Sequence, residues 1–389
     1  MTPTFTTTIA VIGGGVVGAA ILHTLSHRGV DVLLLEAEGD LAYAASGTNS
    51  GVLHTGFDST PGTLETQLIL RSAALRPSVL ESLSVPLLAV GAELIPRSPS
   101  DIDTVGDLVA NAAQNGVEVR IREADGALLV PGESVTDPVS FTLALAEAAQ
   151  LVGGRVFTDS KVVEIVQDPG SLTLRLADGR TVICQVAINA AGLHADEVAA
   201  LVGDESFEIY PRKGEFFVYE LPEGQKLEHI VLPVPTKRTK GVLVFPTLDG
   251  RVVAGPTAID LLDKDDWSVR ANARDEILEK AAEQFPALKG LEPIASYAGL
   301  RPAGRDVNYV IGSSTACDRL INVAAIRSTG LSASLGIAAY VSELLPNLGV
   351  ELGEQQPLTR LPARAAPALW WQRTSRYRAT SVLRLKFSG

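Results

Sequence analysis

A glycine-rich turn, GxGxxG at residues 13–18, constrains the fold of this chain more than any other sequence feature. It follows a short apolar run and precedes an apolar, alanine-rich stretch, which predicts a strand, a tight turn and a helix. Residues 31–36 predict a second buried strand, and this strand ends on an acidic residue. Together these segments indicate a βαβ unit of a parallel sheet.

The residue types in this unit favour dinucleotide binding over a turn with a purely structural role. Gly13 permits the tight turn, Gly15 lets backbone N–H groups approach a pyrophosphate, and Gly18 lets the helix pack closely. The phosphates would lie at the positive end of the helix, which begins near Val16 and Val17. Glu36 would accept hydrogen bonds from ribose hydroxyls and would repel the 2′-phosphate of NADP. This unit alone leaves FAD and NAD as alternatives.

Composition excludes several other classes of protein. The 389 residues are 46% hydrophobic and 20% charged, which suits a globular chain with two or three cores. A formal net charge of -12 disfavours nucleic acid as a partner. The two cysteines, Cys184 and Cys317, form no disulfide framework or metal-binding motif, so we expect no metal site and a cytoplasmic location. No apolar run reaches the roughly 20 residues of a membrane span.

Apolar spacing extends this secondary-structure prediction along the chain. We expect helices at residues 63–83, 137–152, 271–285 and 331–345. We expect strands at residues 155–157, 161–167, 171–176, 181–190 and 320–325. Between residues 207 and 256, extended segments alternate with Pro, Gly and Asp-Gly turns, which is typical of an antiparallel sheet.

Four further motifs carry a resemblance to a known family. They are ASGTNSGVLHTG at residues 45–56, AINAAG at 187–192, GLRP at 299–302 and IRSTGL at 326–331. With the glycine-rich turn, their order resembles the D-amino-acid-oxidase-type superfamily of FAD-dependent oxidoreductases. The resemblance is to its branch of glycerol-3-phosphate dehydrogenase and L-2-hydroxyglutarate dehydrogenase relatives. It covers the chain up to about residue 345 and implies FAD as the cofactor.

The resemblance also implies roles for these segments. The first loop would wrap the pyrophosphate and flavin, the Ala-Ala-Gly turn would lie near the adenine, and the last motif would present N–H groups to the flavin pyrimidine. A helix beginning there would stabilise the anionic reduced flavin, although Ser-Thr-Gly could serve only as an N-cap. The expected cofactor-binding residues are Gly13, Gly15, Val16, Val17, Gly18, Glu36, Ala45, Ser46, Thr48, Asn49, Ser50, Gly51, Val162, Ala191, Gly192, Arg327, Ser328, Thr329, Gly330 and Leu331.

Hydride transfer to a flavin needs a proton acceptor and cations that hold an anionic substrate. His54 ends the flavin-covering loop, so we expect it at the flavin, either as the base or as a histidine that only orders the loop. Arg301, in the Gly-Leu-Arg motif, is the candidate that acts on the substrate rather than a solvated surface arginine. Arg305, Lys213 and Tyr297 are further candidates for the substrate cavity.

Two departures from the family pattern bear on the substrate and on the electron acceptor. L-2-hydroxyglutarate dehydrogenases carry a histidine and an arginine where this chain has Leu243 and Thr247. The difference puts 2-hydroxyglutarate itself in doubt, but not the type of reaction. The chain also lacks the C-terminal cysteine motif of some glycerol-3-phosphate dehydrogenase subunits. Electrons would then leave the flavin directly, to oxygen, a quinone or a carrier.

The last segment, residues 362–389, differs in composition from the rest of the chain. It is basic and aromatic, with no acidic residue. Such residues suit peripheral contact with a membrane surface, which would fit quinone reduction. The favoured alternative is a tail that docks on the acidic body or on a neighbouring subunit, or that stays disordered.

These observations predict an α/β protein with a Rossmann-like FAD-binding domain and an antiparallel-sheet α+β substrate domain. We expect the FAD domain at residues 1–75, 150–205 and 295–345, and the substrate domain at 76–149 and 206–294. The predicted reaction is oxidation of the CH–OH group of a small anionic substrate, a hydroxy acid or a polyol phosphate. An amine or amino-acid oxidase and a non-catalytic flavin-binding protein are the alternatives.

Overall fold

The structure of the chain, a computed structural model, describes residues 3–235, 241–363 and 370–375. Residues 370–375 form a short helical segment, called here the C-terminal segment. The helices that precede it are α1 (Val16–Ser26), α2 (Leu64–Ser82), α3 (Pro99–Asn115), α4 (Pro138–Leu151), α5 (Ala195–Ala200), α6 (Ala273–Gln284) and α7 (Gly330–Leu344), with 3-10 turns at Gly192–His194, Pro286–Leu288 and Leu345–Leu348.

The strands belong to three sheets. In chain order they are β1 (Thr4–Ile12), β2 (Val32–Leu35), β3 (Val52–Leu53), β4 (Leu87–Leu88), β5 (Ala92–Leu94), β6 (Arg120–Ile121), β7 (Leu128–Val130), β8 (Ser134–Thr136), β9 (Arg155–Phe157), β10 (Val162–Asp168), β11 (Ser171–Leu176), β12 (Thr181–Asn189), β13 (Ile209–Tyr219), β14 (Ile230–Val231), β15 (Leu243–Pro246), β16 (Val252–Gly255), β17 (Ile259–Asp260), β18 (Ala295–Gly304), β19 (Val310–Ser313) and β20 (Leu320–Ala324).

The first sheet carries the predicted βαβ unit. Its order is β10-β11-β12-β1-β2-β9, with β20 beside β12 and β19 beside β20. Strand β1 pairs in parallel with both β12 and β2, and its buried half is apolar, as a strand covered on both faces requires. Helices α1, α2, α4 and α7 contribute side chains to one core on this sheet. The structure confirms the predicted Rossmann-like unit.

The second sheet confirms the antiparallel segment predicted after residue 207. Its order is β17-β13-β16-β15-β14-β5-β7-β6, and the long strand β18 pairs with β13 along ten register positions from Ile209 to Val218. Strand β18 lies in the range 295–345, which we expected to belong to the FAD domain, but its hydrogen bonds are to the second sheet. A third, small sheet has the order β3-β8-β4, and its strand β3 ends just before His54.

Helix α3 is an element that the sequence analysis did not predict, although its ends carry ordinary signals. Ser98 caps the first turn by accepting from the Asp101 amide, and a proline follows the cap directly. The helix ends at Asn115, and the next residue, Gly116, has a φ of 67°, which suits a glycine C-cap. Buried residues on one face, Leu108 among them, pack against the second sheet. No helix in the described ranges is long and apolar enough to cross a membrane.

Candidate active site

The glycine-rich turn joins β1 to α1 at the edge where the parallel strands end. Gly13 has a φ of 113°, and a side chain there would clash with the carbonyl of Ala190 on the loop after β12. A side chain at Gly18 would clash with the carbonyl of Gly13. Only glycine therefore lets α1 pack this closely on the turn, which leaves the helix N-terminus facing open space.

Glu36 lies at the end of β2, beside the turn. Its carboxylate accepts hydrogen bonds from the amide of Gly14 at 2.6 Å and from the amide of Glu38 at 2.8 Å. Burial raises the pKa of Glu36 above its ordinary value, while these backbone hydrogen bonds oppose the shift. From the loop, the Ser46 hydroxyl accepts from the amide of Val16 at 2.8 Å, so the loop is fixed against the helix N-terminus.

One cavity of about 1070 Å³ runs from this turn to the second sheet. Its volume exceeds the roughly 300–1,000 Å³ of pockets that bind drug-sized ligands, and it suits an extended dinucleotide. Most of the expected cofactor residues line it: Gly13, Gly15, Val16, Val17, Glu36, Ala45, Ser46, Thr48, Asn49, Ser50, Val162, Ala191, Gly192, Arg327, Ser328, Thr329, Gly330 and Leu331. Gly18 and Gly51 do not line it, and a side chain at Gly51 would clash with the Thr136 carbonyl.

Helix α7 also begins at the cavity. Its N-cap residue, Thr329, makes no side-chain cap, and its hydroxyl instead donates to Glu65 of α2 at 2.7 Å and lies 2.8 Å from the Tyr309 hydroxyl. The N–H groups of the first turn are therefore left for another acceptor, and the helix dipole adds a positive potential. The site thus offers two helix N-termini at one cavity. This arrangement fits FAD, whose pyrophosphate is anionic and whose flavin pyrimidine becomes anionic on reduction.

His54 lies at the cavity wall and is held by three neighbouring elements. Its backbone amide donates to Ser332 of α7 at 2.8 Å, and its carbonyl accepts from Arg76 of α2 at 2.7 Å. Its ring Nδ1 lies 2.8 Å from the Glu133 carboxylate, which is fully buried. His54 lines the cavity, and its side chain is 27% exposed.

Arg301 enters the cavity from β18. Its Nε donates to the carbonyl of Arg212 at 3.1 Å, and its Nη2 donates to the carbonyls of Lys213 at 3.2 Å and Thr257 at 2.7 Å. A side chain at Gly214 would clash with this guanidinium. Burial, with Arg212 and Arg327 nearby, lowers the pKa of Arg301 to about 10. Within residues 3–235, 241–363 and 370–375, no carboxylate forms an ion pair with it.

The other expected substrate residues lie outside the cavity lining. Lys213 is buried on the opposite face of β13, where its ammonium lies 2.7 Å from Asp266. Arg305 is exposed and forms two hydrogen bonds with Glu208. Tyr297 is buried behind the wall, and its hydroxyl donates to the carbonyl of Asn49 at 3.1 Å.

Several lining residues were not identified in the sequence analysis. Arg212 lines the cavity and is next to Lys213, which the sequence predicted there. Alternation along a strand places the two side chains on opposite faces. Apolar side chains line the part of the cavity near the second sheet: Leu94, Leu108, Phe216, Leu232 and Leu243. Of the two residues that stand in place of the histidine and the arginine of L-2-hydroxyglutarate dehydrogenases, Leu243 lines the cavity. Thr247 is buried in the turn before β16 and hydrogen-bonds Asp249 at 2.6 Å.

The C-terminal segment packs on the loop that borders the cavity. Arg373 donates to Asp40 at 2.9 Å and to the carbonyl of Leu41 at 3.0 Å. The hydroxyl of Thr374 donates to the carbonyl of Gly47. Trp370 is buried, with its ring edge-on to Tyr297 at a centroid distance of 5.5 Å. The remaining residues of the basic tail, at positions 364 to 369 and 376 to 389, lie outside the described residues.

Similarity to known proteins agrees with this geometry. The model of a family described as DAO, FAD dependent oxidoreductase, matches residues 8–344. A glycerol 3-phosphate dehydrogenase from Caloramator mitchellensis is 30% identical over 363 residues, which cover 90% of this chain and 75% of that protein. The mitochondrial L-2-hydroxyglutarate dehydrogenase of Mus musculus is 27% identical over 277 residues, which cover 64% of this chain and 60% of that protein.

Among solved structures, a dithionite-reduced L-α-glycerophosphate oxidase from Mycoplasma pneumoniae with FAD bound superposes with a TM-score of 0.84. The two sequences are 26% identical, and the match covers 92% of this chain and 99% of the other. The similarity therefore spans both the first and the second sheet rather than the dinucleotide-binding unit alone.

Proposed function

The chain belongs to the DAO family of FAD-dependent oxidoreductases, and from this membership we propose that it oxidises the CH–OH group of a small anionic substrate. The substrate class is a hydroxy acid or a polyol phosphate such as glycerol 3-phosphate. The activities for which two relatives are named support this class, since glycerol 3-phosphate and L-2-hydroxyglutarate are both anionic alcohols.

FAD would be held at both ends of the cavity. The turn at residues 13–18 and Glu36 would bind the ADP portion, and the start of α7 at residues 328–330 would face the flavin. FAD, when bound, supplies a hydride acceptor at the N5 atom of the flavin. The protein's own residues must then bind the substrate, orient its C–H bond and take its hydroxyl proton.

The arrangement around Arg301 is the observation that carries the proposal. Three backbone carbonyls fix the guanidinium but contribute no full negative charge. Arg301 is half-buried, and a cation partly withdrawn from water without a paired carboxylate is costly, so the site gains free energy when a substrate anion supplies the missing charge. Since the guanidinium can bind carboxylate or phosphate oxygens bidentately, both substrate types remain compatible with it.

His54 is the residue proposed to receive the proton of the substrate hydroxyl. It lines the same cavity as Arg301, and its ring is partly exposed there. An imidazole is an effective base near neutral pH. An amine substrate in its neutral form would need no such base, so the presence of His54 favours the alcohol over the amine.

The electron acceptor and location of the enzyme are part of the same proposal. We infer that electrons leave the flavin directly to oxygen, a quinone or a carrier, in the cytoplasm. The two cysteines are free and buried, which is compatible with a reducing compartment. Peripheral contact with a membrane would have to involve other residues than Trp370 and Trp371, since both are buried against the protein.

An anaerobic substrate panel tests the proposal. The protein purified with FAD would be mixed with glycerol 3-phosphate, L-2-hydroxyglutarate, uncharged glycerol, glycine and D-alanine, and the loss of flavin absorbance would be followed. We expect at least one anionic alcohol to reduce the flavin and uncharged glycerol to fail. Reduction by the amino acids alone would replace the proposal with amine oxidation. Reduction by uncharged glycerol as fast as by its phosphate would contradict the role of Arg301.

A further inference from the structure

We propose that Glu133 is a positioning residue for His54, fixing the imidazole proton on Nδ1 so that the lone pair of Nε2 accepts the substrate proton. This inference rests on the proposed function, because it concerns the base of that reaction. Glu133 follows β7 and precedes β8, and it belongs to none of the motifs that identify the family.

The hydrogen bonds of Glu133 define the roles of its two oxygens. Oε1 accepts from the backbone amide of Thr55 at 2.7 Å and from the Thr55 hydroxyl at 2.9 Å. Oε2 lies 2.8 Å from the Nδ1 atom of His54. An ionised carboxylate only accepts hydrogen bonds, so Nδ1 must carry the proton in this contact.

Charge compensation supports an ionised Glu133 despite its burial. Arg76 of α2 is also buried, and its guanidinium binds the carbonyl of His54 at 2.7 Å. Burial lowers the pKa of Arg76 to about 10, and the negative charge of Glu133 opposes this shift. The pair thus places one negative and one positive charge around the histidine, with the carboxylate on the ring and the guanidinium on the backbone. The carboxylate also stabilises the imidazolium that forms when Nε2 takes a proton.

The substitution Glu133→Gln separates positioning from folding, because it keeps the size and shape of the side chain. The backbone N–H of Thr55 can only donate, so the amide oxygen of Gln must take the place of Oε1. The amide nitrogen then faces Nδ1 of His54 and donates to it. The imidazole proton must move to Nε2, and this tautomer has no lone pair on the side that needs one.

Two readouts test the proposal on the FAD-loaded protein. The first is the 15N spectrum of histidine-labelled protein, with the His54 signals assigned from their loss in His54→Asn. We expect a protonated Nδ1 in the unmodified protein and a protonated Nε2 in Glu133→Gln. The second is anaerobic flavin reduction, for which we expect the limiting rate to fall about 10²–10⁴-fold while the half-saturating substrate concentration changes little.

The control variant is Glu93→Gln. Glu93 lies on the neighbouring strand β5, and its carboxylate pairs with Arg122 rather than with a histidine. We expect it to keep the unmodified tautomer and rate. A proton on Nε2 in the unmodified protein would overturn the proposal, and this measurement needs no substrate. It therefore still decides the role of Glu133 if every alcohol in the panel fails. A lower rate in Glu133→Gln without a change of tautomer would also overturn it.

Discussion

Arg212 and Arg301 are register partners on the antiparallel strands β13 and β18, and both line the cavity. Arg212 forms an ion pair with Asp260 at 2.7 Å, whereas Arg301 is held by carbonyl groups. Burial and the neighbouring Arg212 lower the pKa of Arg301. The two cations therefore differ in their surroundings, since Arg212 has a carboxylate partner and Arg301 has none among the described residues.

The substitution Arg301→Lys tests this difference. A lysine retains the charge but loses the planar fork, so one charge-assisted hydrogen bond to the substrate disappears. At about 1.5–3 kcal/mol for this bond, the half-saturating concentration of an anionic substrate should rise about 10–100-fold. The measurement is the substrate dependence of anaerobic flavin reduction. The matched control, Arg305→Lys, changes an exposed arginine outside the cavity lining and should behave as the unmodified protein.

Glu36 should contribute to cofactor affinity. In Glu36→Ala the ribose hydroxyls lose their acceptor, and the amide of Gly14 loses its bond of 2.6 Å. With about 1.5–3 kcal/mol per hydrogen bond to a charged group, we expect the dissociation constant of FAD to rise about 10–100-fold. Fluorescence titration of the apoprotein with FAD measures it. Glu164→Ala removes an exposed carboxylate on β10 and serves as the control. Equal affinities in the two variants would exclude Glu36 from the ADP site.

His23 should make the stability of the protein depend on pH. It is buried in α1, and burial, followed by the nearby His27, lowers its pKa to about 3. Between pH 6.5 and this value the unfolded chain binds a proton that the folded chain excludes, so stability falls as the pH falls. The contribution is about 1.36 kcal/mol per pH unit over that window. Urea unfolding at several pH values gives the free energy of unfolding as a function of pH. The slope of this dependence should be shallower for His23→Leu and unchanged for the control His194→Leu, at an exposed histidine.

Trp370 should stabilise the loop that borders the cofactor cavity. Its ring contacts Tyr297, whose hydroxyl in turn holds the carbonyl of Asn49. Truncating a buried tryptophan costs about 3–5 kcal/mol, so Trp370→Ala should loosen this contact and lower the temperature at which FAD is released. Flavin fluorescence during heating reports the release. Leu262→Ala, at a side chain that is 89% exposed, is the control. Release at the same temperature in both variants would show that the loop is stable without the tryptophan.

The parts of the site that could be predicted from sequence are those coded by neighbouring residues. In residues 13–18 the requirement at Gly18 is local, because a side chain there would meet the carbonyl of Gly13, and the spacing of the glycines identifies the turn. The same holds for the start of α7, where the helix signal and the motif coincide. Arg301 was identified through a family motif, and its place in the cavity depends on pairing between two strands that are distant in sequence.

The parts that sequence could not provide depend on tertiary contacts. Glu133 is 79 residues from His54 in the chain, and its turn has the composition of an ordinary loop. To choose between Arg212 and Lys213 one must know which face of β13 borders the cavity. Alternation places the two side chains on opposite faces but does not tell which face that is. Lys213 instead satisfies Asp266 and a backbone carbonyl on the other face.

The contacts of the C-terminal segment also order the steps by which the enzyme matures. Asp40 leaves the ribosome 333 residues before Arg373, its ion-pair partner. The dinucleotide-binding unit can fold and sample free FAD during this interval, since domains fold progressively from the N-terminus during synthesis. The loop that contains Gly47 lacks this contact until translation has passed residue 374 and the Thr374 hydroxyl can donate to the Gly47 carbonyl. A chain that ends before residue 370 should therefore exchange flavin faster than one that includes residues 370–375.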